Sequence, residues 1–140
     1  MRIRTKAREI ALQYLYQVDI TSDHTDRILD DFIAHFVDDE EIIPYAKELV
    51  SGVYMYLAHI DELIEKASRN WTVSRMSSTD RNILRIATYE LAYNPDIPYK
   101  VAINEGIELA KRFGSPRFPA FANGVLDRVR TEVASHGNIC

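Results

Sequence analysis

The sequence predicts an all-α protein with about seven helices. Apolar residues recur at three- and four-residue spacing through most of the 140 residues, which is the pattern of helices that bury one face. The alternation of apolar and polar residues that marks a half-buried strand is found nowhere in the chain. Proline, glycine, serine and threonine interrupt the apolar stripes at intervals typical of helix ends.

The N-terminal part carries apolar stripes at residues 7–18, 28–36 and 46–67. Thr5 is a candidate cap for the first helix, although the helix is expected to start somewhat earlier. Thr21-Ser22-Asp23 breaks that helix and offers caps for the second one. Pro44 suits the first turn of the third helix, which we expect to break near residues 59–61. Gly52, within the third stripe, marks either a close helix crossing or a weak point.

The C-terminal part begins with a polar connection, residues 68–78, whose apolar members we expect to anchor it to the core: Trp71, Val73 and Met76. Three stripes follow, at residues 83–91, 102–113 and 118–133. Thr79 is the predicted cap of the first of these helices, and Asn94-Pro95 ends it. Gly114 ends the next helix, where a left-handed residue is wanted. Residues 136–140 are expected to be a frayed tail.

Cations and aromatic residues are mixed at the joint between the last two helices, residues 111–121, which we call the elbow. Lys111, Arg112 and Arg117 lie there, with Phe113 and Phe121 close by in sequence. Single-stranded nucleic acid needs cations for its phosphates and rings on which its bases stack. Burial in the core is the alternative for both phenylalanines.

Charge is distributed unevenly along a chain whose formal net charge is −4. Residues 1–8 hold four basic residues and no acid, whereas residues 19–48 hold ten acids against two basic residues. This polarity suits a protein that binds RNA on one face and a basic protein on another. Arg4 and Arg8, four apart, share one side of the first helix, where a solvated helix start is the alternative.

The sequence contains no pattern typical of catalysis or metal binding. Its four histidines lack the spacing of metal ligands, and its single cysteine, Cys140, is the last residue. Three polar residues lie within otherwise apolar helices: Glu90, Asn104 and Glu105. They could form a functional site, but we favour buried polar contacts that hold neighbouring helices together. We therefore expect no catalytic residues, metal or cofactor. No stretch of the sequence is long and apolar enough to span a membrane, so we expect a cytoplasmic protein.

Several segments, taken in order, resemble the NusB family of transcription antitermination factors. They are KAREIALQYLYQVD (6–19), Trp71, DRNILRIATYEL (80–91), AINEGIELAKRFG (102–114) and FANGVLD (121–127). The resemblance implies two small helical bundles packed into one compact domain over residues 1–140, with halves at about 1–67 and 68–137. It also implies a non-enzymatic adaptor that binds single-stranded boxA-type RNA of nascent ribosomal RNA transcripts. The family partners are the small-subunit ribosomal protein NusE and the transcription elongation complex.

The resemblance and the charge pattern together identify eight candidate RNA contacts: Arg4, Lys6, Arg8, Lys111, Arg112, Phe113, Arg117 and Phe121. Tyr16 and Asp80 match family positions on the NusE-binding surface. For each of these two, a structural role, as a core-edge aromatic or a helix-start acid, is the alternative.

The elbow departs from the family pattern, because Arg117 stands where an acidic residue is usual. Additional positive charge there would strengthen non-specific RNA binding and relax base selection. Two other functions stay open: a detached NusB-like domain of a ribosomal RNA cytosine methyltransferase, and a purely protein-binding helical adaptor. The sequence leaves open whether the protein is a monomer or a homodimer.

Overall fold

The computed structural model describes residues 2–69 and 71–136, and over these residues the protein is all-α, as predicted. Seven α-helices and one short 3₁₀-helix (Val73–Arg75) make up the described chain. The α-helices are α1 (Arg2–Thr21), α2 (Asp26–Phe36), α3 (Ile43–Met55), α4 (Leu57–Ala67), α5 (Ser78–Tyr93), α6 (Tyr99–Phe113) and α7 (Phe118–His136). The predicted frayed tail lies outside the described residues, except for His136, which ends α7.

Helix boundaries follow the predicted breaks more closely than the predicted caps. Helix α1 begins before Thr5 and ends at Thr21, next to the predicted break. The cap of α2 is Thr25 rather than a residue of Thr21-Ser22-Asp23, and its hydroxyl accepts from the Ile28 amide at 3.1 Å. The long third stripe breaks at Tyr56, earlier than expected. Ser77, rather than Thr79, caps α5 and accepts from the backbone amide of Asp80 at 3.1 Å.

Helix α5 is the centre of the fold. It packs against α1, α3 and α4 on the N-terminal side and against α6 and α7 on the C-terminal side. Its inner positions, Ile83, Leu84, Ile86 and Ala87, are almost fully buried. Contacts of α5 with helices from both parts of the chain do not separate two halves, so the division near residues 68–78 stays a prediction.

Gly52 marks a close helix crossing. A Cβ atom at this position would lie 2.2 Å from Cε1 of Tyr89, whose ring is buried against α3. Tyr89 is held there because its hydroxyl donates to Glu48 at 3.2 Å. The glycine therefore supplies the space that lets α3 and α5 approach.

Replacing Gly52 with alanine is expected to destabilise the protein by about 1–2 kcal/mol. A Cβ atom 2.2 Å from the Tyr89 ring puts the cost of overpacking in the upper part of its usual range, at about 2–3 kcal/mol, and the better helix propensity of alanine offsets about 1 kcal/mol of it. Urea unfolding measures the difference. Ser51→Ala, at the exposed neighbouring position, is the control, and a Gly52→Ala protein as stable as that control would contradict the crossing.

The connection between α4 and α5 is anchored by two of its three apolar residues. Val73 and Met76 are buried, as predicted. The prediction for Trp71 is wrong, because this side chain is 47% exposed. Its indole meets the Phe121 ring edge-on, with the ring centroids 5.1 Å apart. Trp71 thus lies at the surface beside the elbow.

Within the described residues, no helix has the length and apolar content needed to cross a membrane. The same residues contain no group of three or more His, Cys, Asp or Glu side chains arranged to hold a metal ion.

Candidate nucleic-acid interface

Glu9 joins the basic N-terminus to the elbow. Its carboxylate lies 3.8 Å from the ammonium of Lys6 on the same helix, and it accepts a hydrogen bond from Nη1 of Arg112 at the end of α6. The carboxylate is buried, whereas Lys6 and Arg112 are exposed. Two basic segments about a hundred residues apart therefore form one surface.

This basic surface continues along the end of α6. The guanidinium of Arg112 lies over the ring of Phe113, 4.9 Å from its centroid, and the ring is 40% exposed. Lys111 is also exposed, with its ammonium 3.3 Å from Glu108. We define the basic surface as Lys6, Lys111, Arg112 and Phe113. Phe113 is therefore not a core residue.

Arg4 lies apart from the basic surface. Its guanidinium is 5.3 Å from the ring centroid of Tyr45, on the side of α1 that meets α3. At about 100° per residue, Arg4 and Lys6 point to nearly opposite sides of α1. The structure therefore separates these two predicted phosphate contacts.

Arg8 is internal, which corrects the expectation that it forms part of an exposed basic face. Its side chain is 1% exposed. Its Nε donates to the two carboxylate oxygens of Glu90 at 3.1 and 2.9 Å, and its Nη1 donates to Glu105 at 3.1 Å. Arg8 cannot bind a phosphate because it is buried and its guanidinium is paired with these two carboxylates. Its spacing from Arg4 indicated a shared side but not what that side faces.

Glu90 and Glu105 fix neighbouring helices, as favoured from the sequence. Glu90 on α5 also accepts from the hydroxyl of Tyr45 on α3, and Glu105 on α6 accepts from the hydroxyl of Thr5 at 2.8 Å. Burial raises the pKa of Glu90 above its usual range, and the adjacent Arg8 opposes that rise. Asn104 differs from the other two because it is exposed.

Asp80 holds the elbow against α5. Its carboxylate accepts from the backbone amide of Ser115 at 3.3 Å and from the Ser115 hydroxyl at 2.9 Å. The residue is 9% exposed, so most of its surface is used inside the protein. The structural alternative weighed for this helix-start acid is therefore realised, and a partner contact at Asp80 stays a prediction.

Gly114 ends α6 without the left-handed backbone that we expected. Its φ is −83° and its ψ is 174°, which is extended backbone open to any residue. A Cβ atom there would lie 2.8 Å from the carbonyl oxygen of Ala110 and 3.0 Å from Oδ1 of Asp80. Glycine is required by this close approach.

Tyr16, the other predicted partner contact, is accessible. It is 44% exposed on α1, four residues before the still more exposed Ile20. Asp19, between them, ties α1 to α5 by accepting from Ser78, Arg81 and Asn82 at 2.7–3.0 Å. Burial raises the pKa of Asp19, but these hydrogen bonds outweigh it and hold the pKa below its usual value. Asp19 could not be recognised from the sequence, because its role depends on a helix about 60 residues away.

Arg117 and Phe121 lie at a cleft of about 440 Å³ between the elbow and the 68–78 connection. We call it the elbow cleft. Its walls include Trp71, Arg75, Met76, Arg117, Phe118 and Phe121. Phe121 is half-buried there, neither a core side chain nor freely exposed. Trp71 and Arg75 were not predicted as surface groups, because apolar residues in a polar connection are typical of an anchor to the core.

The described residues form seven α-helices in this order, with a basic surface where α1 meets the elbow, and this all-α arrangement matches solved structures of antitermination factors. A solved structure of NusB from T. maritima matches it with a TM-score of 0.81 at 35% identity, over 92% of this chain and 91% of that chain. A crystal structure of antitermination factors NusB and NusE in complex with dsRNA matches with a TM-score of 0.83 at 25% identity, over 94% and 98%.

The sequence comparisons agree with the fold. The model of the NusB family matches residues 5–131. The transcription antitermination protein NusB of Desulforapulum autotrophicum is 47% identical over 129 residues, which are 91% of this chain and 90% of that protein. The Bacillus subtilis protein of the same name is 43% identical over 130 residues, or 93% and 96%. This chain belongs to the NusB family.

Proposed function

We propose that this protein is a transcription antitermination factor that binds boxA-type RNA of nascent ribosomal RNA transcripts together with the ribosomal protein NusE. It would act as a non-catalytic adaptor within the elongation complex. The observation that carries the proposal is the basic surface, which is formed by two segments distant in sequence. The fold that presents this surface matches a structure of NusB and NusE in complex with dsRNA over 94% of this chain.

The phosphate contacts of this proposal are the exposed cations of α1 and the elbow. Lys6, Lys111 and Arg112 neutralise consecutive phosphates along the basic surface. Phe113, covered on one side by Arg112, offers its exposed part to a base. Arg117 adds charge at the elbow cleft beside Phe121, and Arg4 adds a contact on the far side of α1. Arg8 is excluded because it is buried and paired.

The partner surface of this proposal is the outer face of α1 around Tyr16. The acidic segment 19–48 begins next to it, and a basic ribosomal protein is attracted to such a surface. Tyr16 supplies an exposed aromatic side chain of the kind enriched at protein interfaces.

The cations of α1 and the elbow are expected to give RNA binding a slope of about −3.5 in a plot of log affinity against log salt concentration. Five exposed cations are available, and each single-stranded phosphate contact contributes about 0.7. Titrating labelled boxA-type RNA at several salt concentrations, with and without the ribosomal protein, measures the slope. The double variant Lys111→Gln/Arg112→Gln should be shallower by about 1.4 units.

The matched control is Arg27→Gln/Lys66→Gln, which removes the same charge from exposed sites on α2 and α4. Equal slopes for the two double variants would rule out the basic surface. A natural protein that binds the ribosomal partner but shows no RNA binding would instead favour a purely protein-binding adaptor. The methyltransferase-domain alternative gains no support from the comparisons, because the matches extend over 90% or more of the NusB relatives.

A further inference from the structure

The elbow cleft combines an aromatic wall with an apolar floor. Trp71 is nearly half exposed, and its indole is held edge-on by Phe121 at a centroid distance of 5.1 Å. Met76 and Phe118, which also line the cleft, are buried. A volume of about 440 Å³ is within the range of small-ligand sites. The cleft therefore has room for a flat ring against an aromatic side chain.

The charge around this cleft is positive. Arg75 and Arg117 are both exposed at its rim, and neither guanidinium has an ion-pair partner among the described residues. The carboxylate that also borders the cleft, Asp80, is occupied by the amide and hydroxyl of Ser115. Two free guanidinium groups beside an aromatic wall complement a flat ring flanked by anions.

We propose that the elbow cleft binds one unpaired RNA base against Trp71, with the flanking phosphates at Arg75 and Arg117. This inference rests on the proposed function, because it requires that the chain bind RNA. An unpaired nucleotide has the required chemistry, since its base is flat and stacks on aromatic side chains while its phosphates are anionic. Trp71 and Arg75 thereby extend the predicted RNA contacts beyond the elbow itself.

The protein reports on this cleft directly, because Trp71 is its single tryptophan. We would titrate the natural protein with a fluorescein-labelled boxA-type RNA and follow RNA anisotropy. A parallel titration with unlabelled RNA would follow tryptophan emission. Stacking of a base on the indole should quench the emission with the same midpoint as the anisotropy change. A set of RNAs with one abasic position each should contain one member that binds without this quenching.

Variants then test the contribution of the cleft to affinity. Trp71→Leu keeps an apolar side chain and should weaken RNA binding by about 5-fold to 100-fold, the range for losing one aromatic–base stack. Trp71→Phe keeps a ring and should bind within a few-fold of the natural protein. Arg75→Gln should make the salt slope shallower by about 0.7. Phe36→Leu and Arg27→Gln, exposed on α2, are the matched controls, and circular dichroism checks folding.

The outcomes separate this inference from the proposed function. If anisotropy shows no RNA binding by the natural protein, the proposed function fails and this inference fails with it. If RNA binds but tryptophan emission does not change, or Trp71→Leu binds as tightly as Phe36→Leu, the inference alone is overturned. Quenching together with selective weakening by Trp71→Leu supports it.

Discussion

Replacing Arg8 with alanine is expected to lower the free energy of unfolding by about 3–5 kcal/mol, the usual cost of removing one partner of a buried ion pair. The change removes the guanidinium that pairs with the carboxylates of Glu90 and Glu105. Such a loss is a large fraction of the 5–15 kcal/mol that stabilises a typical domain. Urea unfolding followed by circular dichroism measures it.

The pH dependence of this variant provides a second test. Burial already raises the pKa of Glu90 above 4.5, and removal of Arg8 removes an influence that lowers it. A carboxyl group whose folded-state pKa is raised stabilises the fold when protonated and loses that contribution as pH rises through the folded-state value. The difference in free energy of unfolding between Arg8→Ala and the natural protein should therefore become smaller as pH is lowered from 7 towards the usual pKa of glutamate.

Arg4→Ala is the matched control for Arg8, because it removes the same side chain from an exposed site on the same helix. Its stability should change by no more than about 0.5–1 kcal/mol, including the loss of its position over Tyr45. Equal effects of the two replacements, or an Arg8 deficit that is independent of pH, would contradict the buried network.

Asp80→Lys is expected to destabilise the protein by about 2–4 kcal/mol and to loosen the elbow. It removes the carboxylate that accepts from the Ser115 amide and hydroxyl, and it places an ammonium in a mostly buried position. Thermal unfolding measures the stability, and hydrogen exchange of the Ser115 amide reports on the elbow.

Two controls separate charge from contact in this experiment. Asp31→Lys makes the same change of charge at an exposed site on α2 and should have little effect. Asp80→Asn retains a hydrogen-bond acceptor and should therefore lose less stability than Asp80→Lys. If Asp80→Lys is as stable as Asp31→Lys, the contact does not hold the elbow. Because Asp80→Lys disturbs the elbow, Tyr16→Ala tests partner binding more directly.

The helices could be predicted because their determinants are local. Apolar spacing and the breaks near Ser22, Pro44 and Asn94 depend on neighbours a few residues away, and the structure places helix boundaries at all three. Gly114 shows the limit of such rules. Its position at the end of α6 was predicted, but glycine is needed there because three groups come close: the carbonyl oxygen of Ala110, the ring of Phe118 and the carboxylate of Asp80, 34 residues earlier in the chain.

The candidate site could be predicted only in outline, because it depends on which segments meet. The basic N-terminus and elbow were each apparent from composition, but nothing local shows that Lys6 and Arg112 share Glu9. Nor does helical spacing distinguish Arg4 from Arg8, since the carboxylates that bury Arg8 come from α5 and α6. Trp71 was placed in the core because large aromatic residues in short connections commonly serve as anchors.

The Arg8 cluster also has a consequence for the synthesis of this protein on the ribosome. Glu90 and Glu105 follow Arg8 by 82 and 97 residues, so the first helix emerges long before its counter-charges exist. At about 5–20 residues per second, the interval up to residue 105 is roughly 5–20 s. During that time α1 can pack against α3, but Arg8 lacks the carboxylates that pair with it in the folded protein. The pairing of Arg8 must therefore be a late event, after most of the chain has been made.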